Sequence, residues 1–287
     1  MIELGPNRYG KSAIRLVKVD RQPDRHDLRD LTVSITLDGD FGAAFVAGDN
    51  ANVVATDTMK NVVYGFARDQ LVGAVEGFGQ VLARHFLDDD HVSGVSVSIE
   101  ERRWSRIPTS DGPAADAFFR TGDLTRTALV SGTRESVAIA AGWADLTVMK
   151  TRGSAFRGFP RDAWTTLPET DDRLLATRVS ATWRYAGDAA TERQPDYEGV
   201  FDSVHRTFLE VFAEHDSPSV QATIWIVGRA ILERHPELDE IRMVMPNLHH
   251  WLVDLSPFGQ PNPGEVFVAT TEPYGLIEAT VRRSETA

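Results

Sequence analysis

Polar and apolar positions alternate most cleanly between Leu31 and Asp38. Leu31, Val33, Ile35 and Leu37 interleave there with Thr32, Ser34, Thr36 and Asp38. A period of two puts the four apolar side chains on one face of an extended strand. Ala13, Arg15, Val17 and Val19 share one face of a preceding strand, with Lys18 on the other. Residues 13–20 and 29–38 therefore read as an antiparallel pair. The period then lengthens. Met59, Val62, Val63 and Phe66 predict a helix over about 58–68, and Val75, Phe78, Leu82 and Phe86 hold a helical stripe over about 70–87 despite Gly73, Gly77 and Gly79. Alternation returns from His91 to Glu100 through Val95, Val97 and Ile99. Residues 108–123, rich in Pro, Gly, Asp and Ala, read as a loop anchored by Phe118 and Phe119.

Beyond it, strands are expected at about 125–131, 136–141 and 144–150, then a loop from Thr151 to Trp164 and a short helical piece over about 167–175. A strand at 177–186 and a turn from Gly187 to Asp196 precede helices over about 197–214 and 219–235. His235-Pro236 ends the second helix, since a residue before proline disfavours the helical region. Ile241, Met243 and Met245 alternate as a strand, as do Trp251 and Val253, and a final strand pair falls near 265–269 and 275–282. The order strand pair, helix pair, strand pair therefore recurs, although no residue-level repeat is visible. This pattern predicts an α+β fold of antiparallel sheets with helices on one face. Adjacent strand pairs argue against a doubly wound parallel sheet.

The change from strand to helix near residue 56 has two readings. Val53, Val54 and Ala55 approach in extended form and stop at Thr56, Asp57 and Thr58. Those three are good helix N-caps. Alternatively, the corner points a hydroxyl and a carboxylate into a cleft, beside free helix amides that favour an anion.

Composition narrows the partners. The chain has 287 residues, 42% hydrophobic and 25% charged, enough for one large or two medium domains. A formal net charge of -12 disfavours nucleic acid and anionic membranes. An anionic small molecule would need a local cluster of Arg and Lys. The absence of Cys excludes disulfides, Fe–S clusters and thiol nucleophiles. No signal peptide, membrane-length segment or peroxisomal tripeptide is read, so a soluble cytoplasmic protein of bacterial type is the expectation. No Gly-x-Gly-x-x-Gly, Walker or Gly-x-Ser-x-Gly string occurs. The adjacent pair His249-His250 would point to opposite faces of a strand, which argues against chelation and against a catalytic metal. Carboxylates are abundant, but no spacing singles out a pair.

Polar residues at element ends remain as candidates. They are Lys11, Thr56 and Asp57, Arg173 in the expected helical piece, Gln221, and Asn247 with His249; Phe156 adds an aromatic side chain in a loop. Each also has a plain structural reading, as surface charge, helix start, turn former or core plug.

Together they lie in strings that resemble the urate oxidases (uricases). The strings are Tyr9-Gly10-Lys11, Val54 to Asn61, Phe156 to Asp162 with Thr165 to Thr170, Asp172 to Leu175, Ser219-Val220-Gln221 and Pro246-Asn247-Leu248-His249, in family order over nearly the whole chain. The resemblance implies a tunnelling fold (T-fold) of two tandem repeats, residues 1–140 and 141–287. It implies a homotetramer with active sites at subunit interfaces. It implies that Arg173 and Gln221 grip urate, Phe156 stacks on it and Val220 offers a backbone amide. Thr56 and Asp57 of a neighbouring subunit would meet the other edge, Lys11, Thr56 and His249 would relay protons, and Asn247 would hold dioxygen. The activity implied is oxidation of urate by dioxygen and water to 5-hydroxyisourate and hydrogen peroxide, with no metal, flavin or haem. Leu248 departs from a position often basic in the family, and residues 70–87 and 108–123 diverge. A pterin-processing enzyme would need a His cluster or reactive Cys; a non-catalytic purine-binding protein would keep the grip and lose the relay.

Overall fold

A computed structural model describes residues 1–120, 122–188 and 194–284. The chain divides into two compact units, Met1–Trp143 with Trp183–Phe201, and Ala144–Thr182 with Asp202–Ala287.

The first unit opens with β1 (Tyr9–Arg21) and β2 (His26–Gly39), antiparallel as expected, with Leu16 opposite Leu31 and Lys11 opposite Ile35. The ladder slips between Lys11 and Ile14, where Ala13 takes φ 57° and its N–H donates to Ser34 Oγ at 3.0 Å. Helices α1 (Gly42–Ala47), α2 (Thr56–Gln70) and α3 (Val75–Leu87) follow, then β3 (Val92–Arg102), β4 (Ser105–Thr109), β5 (Gly112–Phe119), β6 (Thr125–Gly132) and β7 (Val137–Lys150). The strands lie in the order β1-β2-β3-β6-β7. The alternating face of β2 is fully used: Leu31, Val33, Ile35 and Leu37 are each at most 1% exposed. Register sets Val33 opposite Ile99 and Ile35 opposite Val97. Phe78 and Leu82 of α3 are wholly buried; burial on this scale stabilises by about 1.5–3 kcal/mol per large side chain.

Four details of this unit depart from the pattern read along the chain. The helix expected from residue 70 begins at Val75, because Gly73 turns left-handed at φ +70°. The short α1 has no buried residue, so it left no apolar stripe to read. Residues 108–123 are not one loop: β4 and β5 form a hairpin closed through Thr109 and Gly112, the latter at φ 113°. Arg106 ties that hairpin down by pairing with Asp27 of β2 at 2.6 Å. The two strands expected at 136–141 and 144–150 are the single β7, in which Asp145 takes φ 64°. One buried ion pair crosses this core. Arg126 Nη2 lies 2.8 Å from Glu76 Oε2 with both side chains fully buried, and its Nη1 lies 2.6 Å from Glu198 Oε2. Burial pulls the Arg126 guanidinium down, but the carboxylates of Glu76 and Glu198 outweigh it and hold the pKa above its ordinary value.

Beyond β7 the chain runs through β8 (Leu175–Tyr185), α4 (Tyr197–Glu214), α5 (Val220–Arg234), β9 (Leu238–Val244), β10 (Asn247–Leu248), β11 (His250–Leu252), β12 (Phe267–Ala269) and β13 (Glu278–Arg282), those from α5 onward lying wholly in the second unit. The strands run β7-β8-β9-β13, with β10 on β8. The final strands do not pair with each other. β12 pairs with β11, and β13 with β9, because the chain between them crosses from one sheet to the other. Part of the turn expected over Gly187 to Asp196 lies outside the described residues.

The two units repeat one packing device. In α3, a Cβ on Gly79 would sit 2.7 Å from Val130 Cγ2 of β6 and 3.6 Å from Ile99 of β3. In α5, a Cβ on Gly228 would sit 2.6 Å from Val281 Cγ2 of β13 and 3.2 Å from Met243 of β9. The second helix of each pair thus rests on a valine of one strand and an aliphatic side chain of its neighbour, at a point where only hydrogen fits.

Candidate active site

The sequence candidates gather into two groups. In the first unit, Gly10 lies so close to β2 that a Cβ would meet the Ile35 carbonyl oxygen at 1.9 Å. That close approach seats Lys11 opposite Ile35. Tyr9 Oη donates to the Val54 carbonyl at 3.1 Å and so joins β1 to the segment entering α2. At that entry the N-cap is Ala55, with no side-chain cap hydrogen bond, so none of Thr56, Asp57 and Thr58 caps the helix as a simple reading suggests. Thr56 is itself the first helical residue. Asp57 is exposed, paired with Lys60, and accepts from Asn61 Nδ2 at 3.1 Å. Its carboxyl is held below the usual range by the hydrogen bond from Lys60 first, with Lys11 a smaller electrostatic contributor.

The second group surrounds a cavity of about 650 Å³. Its lining includes Phe156, Arg173, Val220, Gln221, Asn247 and His249, all from the second unit. Lys11, Thr56 and Asp57 are not part of this lining.

Phe156 and Arg173 belong to one cross-tied loop between β7 and β8. Phe156 and Thr170 exchange backbone hydrogen bonds at 2.9 and 3.1 Å, and the Arg173 N–H donates to the Ser154 carbonyl at 2.8 Å. Asp172 Oδ1 accepts from the Gly153 N–H at 2.7 Å. These bonds consume the amides that a helix over 167–175 would need, so Arg173 sits in a loop rather than a helix. Phe159 stacks on Phe156 with centroids 5.0 Å apart and planes 15° apart. Since Phe159 does not line the cavity, it backs Phe156 from behind. The Arg173 guanidinium lies 5.2 Å from the Phe156 ring centroid. Its Nε is buried without a hydrogen-bond partner, and burial pushes its pKa down. A half-buried, under-partnered guanidinium beside an aromatic face is suited to a flat anion.

Val220 and Gln221 open α5, where Ser219 is the N-cap and accepts from the Ala222 N–H at 3.1 Å. The amides of Val220 and Gln221 have no intrahelical acceptor, and the positive end of the helix dipole lies there. Across the cavity, Asn247 is held by its N–H to the Gly275 carbonyl at 2.8 Å and by pairing with Thr177 of β8. His249 lies between β10 and β11, and its carbonyl accepts from both the Thr270 N–H and hydroxyl. Leu248 lines a separate hollow of about 380 Å³ with Arg178 and Tyr274.

His250 also lines the main cavity. The opposite-face argument for His249-His250 therefore does not hold here, because His249 interrupts the strand and breaks its alternation. Even so, among the described residues no group of three or more His, Cys, Asp or Glu is placed to hold a metal ion. Trp251, Leu252 and Phe267 extend the apolar wall. The alternation of Trp251 and Val253 and the strand expected near 265–269 were the traces of that wall in the sequence.

Two antiparallel α+β units with a shared packing plan, one carrying a cavity lined by an arginine beside an aromatic ring, define a tunnelling-fold protein. A sequence model of the family described as Uricase matches residues 7–131 and 139–278. Curated uricases from Arthrobacter globiformis and Dictyostelium discoideum are 50% and 36% identical, over 98% and 99% of this chain and 90% and 99% of theirs. The crystal structure of the Arthrobacter globiformis uricase has a TM-score of 0.93 at 49% identity, covering 100% of this chain and 97% of that one. A urate oxidase from Bacillus sp. TB-90 has a TM-score of 0.83 at 26% identity, covering 96% and 100%. The chain belongs to the uricase family of urate oxidases, which are oxidoreductases. No helix among the described residues is long and apolar enough to cross a membrane.

Proposed function

We propose that the chain oxidises urate with dioxygen and water to 5-hydroxyisourate and hydrogen peroxide, without metal, flavin or haem. The observation that carries the binding half is the half-buried Arg173 guanidinium, whose Nε is shielded and unpartnered beside Phe156. Arg173 and Gln221 would take one edge of the urate anion, with the Val220 amide adding a donor at the helix start. Phe156, backed by Phe159, would stack on the purine plane. Urate gives up two electrons to dioxygen; two protons complete the peroxide and water adds to the oxidised ring. The protein's task is then to position reactants and move protons.

Lys11, Thr56 and His249 form the proton relay in this reading, and Asn247 holds dioxygen and then water over the ring. Thr56 and Asp57 reach the far edge of urate from a neighbouring copy, so the working species is a homotetramer with shared sites. The free Thr56 side chain, committed to no cap, supports that role. A cytoplasmic location belongs to the same proposal. The test is loss of the ultraviolet absorbance of urate with matching oxygen uptake, in protein dialysed against chelator. Turnover only after metal is restored would refute the cofactor-free reading. Binding without turnover would leave a purine-binding protein.

A further inference from the structure

Phe156 and Arg173 come from one segment of chain, and Val220 and Gln221 from another. A polar chain joins the two, with Ser217 and Thr223 buried and His215 half-buried. Ser217 is 2% exposed. Its N–H donates to the Gly153 carbonyl and its carbonyl accepts from the Ala155 N–H, both at 2.8 Å. Its Oγ lies 2.8 Å from Thr223 Oγ1 and 3.1 Å from the Ser219 carbonyl. Thr223, wholly buried in the first turns of α5, lies 3.0 Å from His215 Nε2 and 3.2 Å from the Ser219 carbonyl. His215 Nδ1 lies 2.7 Å from the Val211 carbonyl.

The directions of these bonds follow from what each group can do. A carbonyl only accepts, so Nδ1 carries the proton. In the neutral ring Nε2 is then the acceptor, and Thr223 spends its one proton there. Ser217 Oγ then receives no proton from Thr223 and donates its own, shared between Thr223 Oγ1 and the Ser219 carbonyl. The bonds run one way, from Ser217 through Thr223 and His215 to Val211. Lys150 anchors the far end by donating to the His215 carbonyl.

We propose that Thr223, with Ser217 and His215, is a positioning residue for the substrate. None of the three lines the cavity. Each acts through Ser217, whose backbone grips residues 153–155 while its side chain grips the start of α5. That grip sets the spacing between the Phe156–Arg173 wall and the Val220–Gln221 amides. A ligand held from both sides depends on this spacing, and no other buried polar side chain joins the two segments among the described residues. The proposal rests on the urate reading above.

The test compares Thr223→Val, which keeps the branched shape and loses the hydroxyl, with Thr223→Ser, which keeps the hydroxyl. Urate is titrated calorimetrically without oxygen. Thr223→Val should raise Kd about tenfold, the scale of one buried hydrogen bond, while Thr223→Ser stays within about twofold. Ser217→Ala should raise Kd in the same direction, and decides the matter alone if Thr223→Val does not fold. Kd unchanged in Thr223→Val or Ser217→Ala, despite a lower Tm, would overturn the proposal. So would equal weakening by Thr223→Ser. Hydrogen exchange reads the same device without ligand. The hydrogen-bonded amides of Ala155, Ser217, Ala222 and Thr223 should exchange about tenfold faster in Thr223→Val or Ser217→Ala, and unchanged exchange would also overturn it. A wild-type protein that binds no urate would sink the urate reading, while exchange would still decide the positioning.

Discussion

Arg173 meets two opposing demands. Burial disfavours its charge, yet the fold satisfies its backbone through Ser154 and leaves its Nε without a partner. Such a group is costly until an acceptor arrives, so its affinity for an anion is prepaid by the fold. Arg173→Lys keeps the charge but loses the planar fork. It should lower kcat/KM for urate about a hundredfold, mostly through KM, in a steady-state absorbance assay. Glu76 and Arg126 face the same arithmetic without a ligand. Glu76→Gln leaves a buried guanidinium with only the half-exposed Glu198 as carboxylate partner. It should lower unfolding stability by about 3 kcal/mol in urea titration, whereas Glu76→Leu with Arg126→Met should recover most of that loss.

At the scale of elements, the helix glycines separate packing from propensity. Gly79→Ala and Gly228→Ala would force a Cβ to within 2.7 and 2.6 Å of valine methyls. Each should cost about 1–3 kcal/mol, seen as a lower Tm. Gly65 of α2 has open space around its missing Cβ. Gly65→Ala should instead gain about 0.5–1 kcal/mol from helix propensity alone. These glycines also mark what a reader of the chain can and cannot see. β2, both helix pairs and the β8–β9 strands were legible because each buries one face, and burial imposes a period; β1 showed the alternation although its Val17 and Val19 face is exposed. The β4–β5 hairpin was not, since its strand residues include Pro108, Pro113 and three exposed positions in a row, Ile107 to Thr109. The repeat was visible as element order but not as residues, because Gly79 and Gly228 match only through the strands they touch. The cavity was half legible: its ends carried polar strings, whereas Ser217, Thr223 and His215 stand in no string that pointed to it. His250 was set aside by an alternation rule that the break at His249 suspends.

The scale of the whole molecule is where the proposed site becomes complete. The cavity lining comes from the second unit alone, and Lys11 and Thr56 belong to the first, where Tyr9 joins β1 to the segment entering α2. If the two groups meet only between copies, defects in them must complement. Lys11→Met should slow turnover by about a hundredfold or more through loss of proton transfer, and Arg173→Ala should abolish urate binding. Each homo-oligomer would be nearly inactive. Unfolding the two together in equal amounts and refolding them should give mixed oligomers in which some interfaces pair an intact first unit with an intact second unit. Random assembly predicts activity near a quarter of wild type, since each site needs two independent intact halves, each present at about one half. A site built within one chain predicts no recovery at any mixing ratio. Separately refolded proteins combined afterwards supply the control, because subunits already assembled cannot share sites until they exchange.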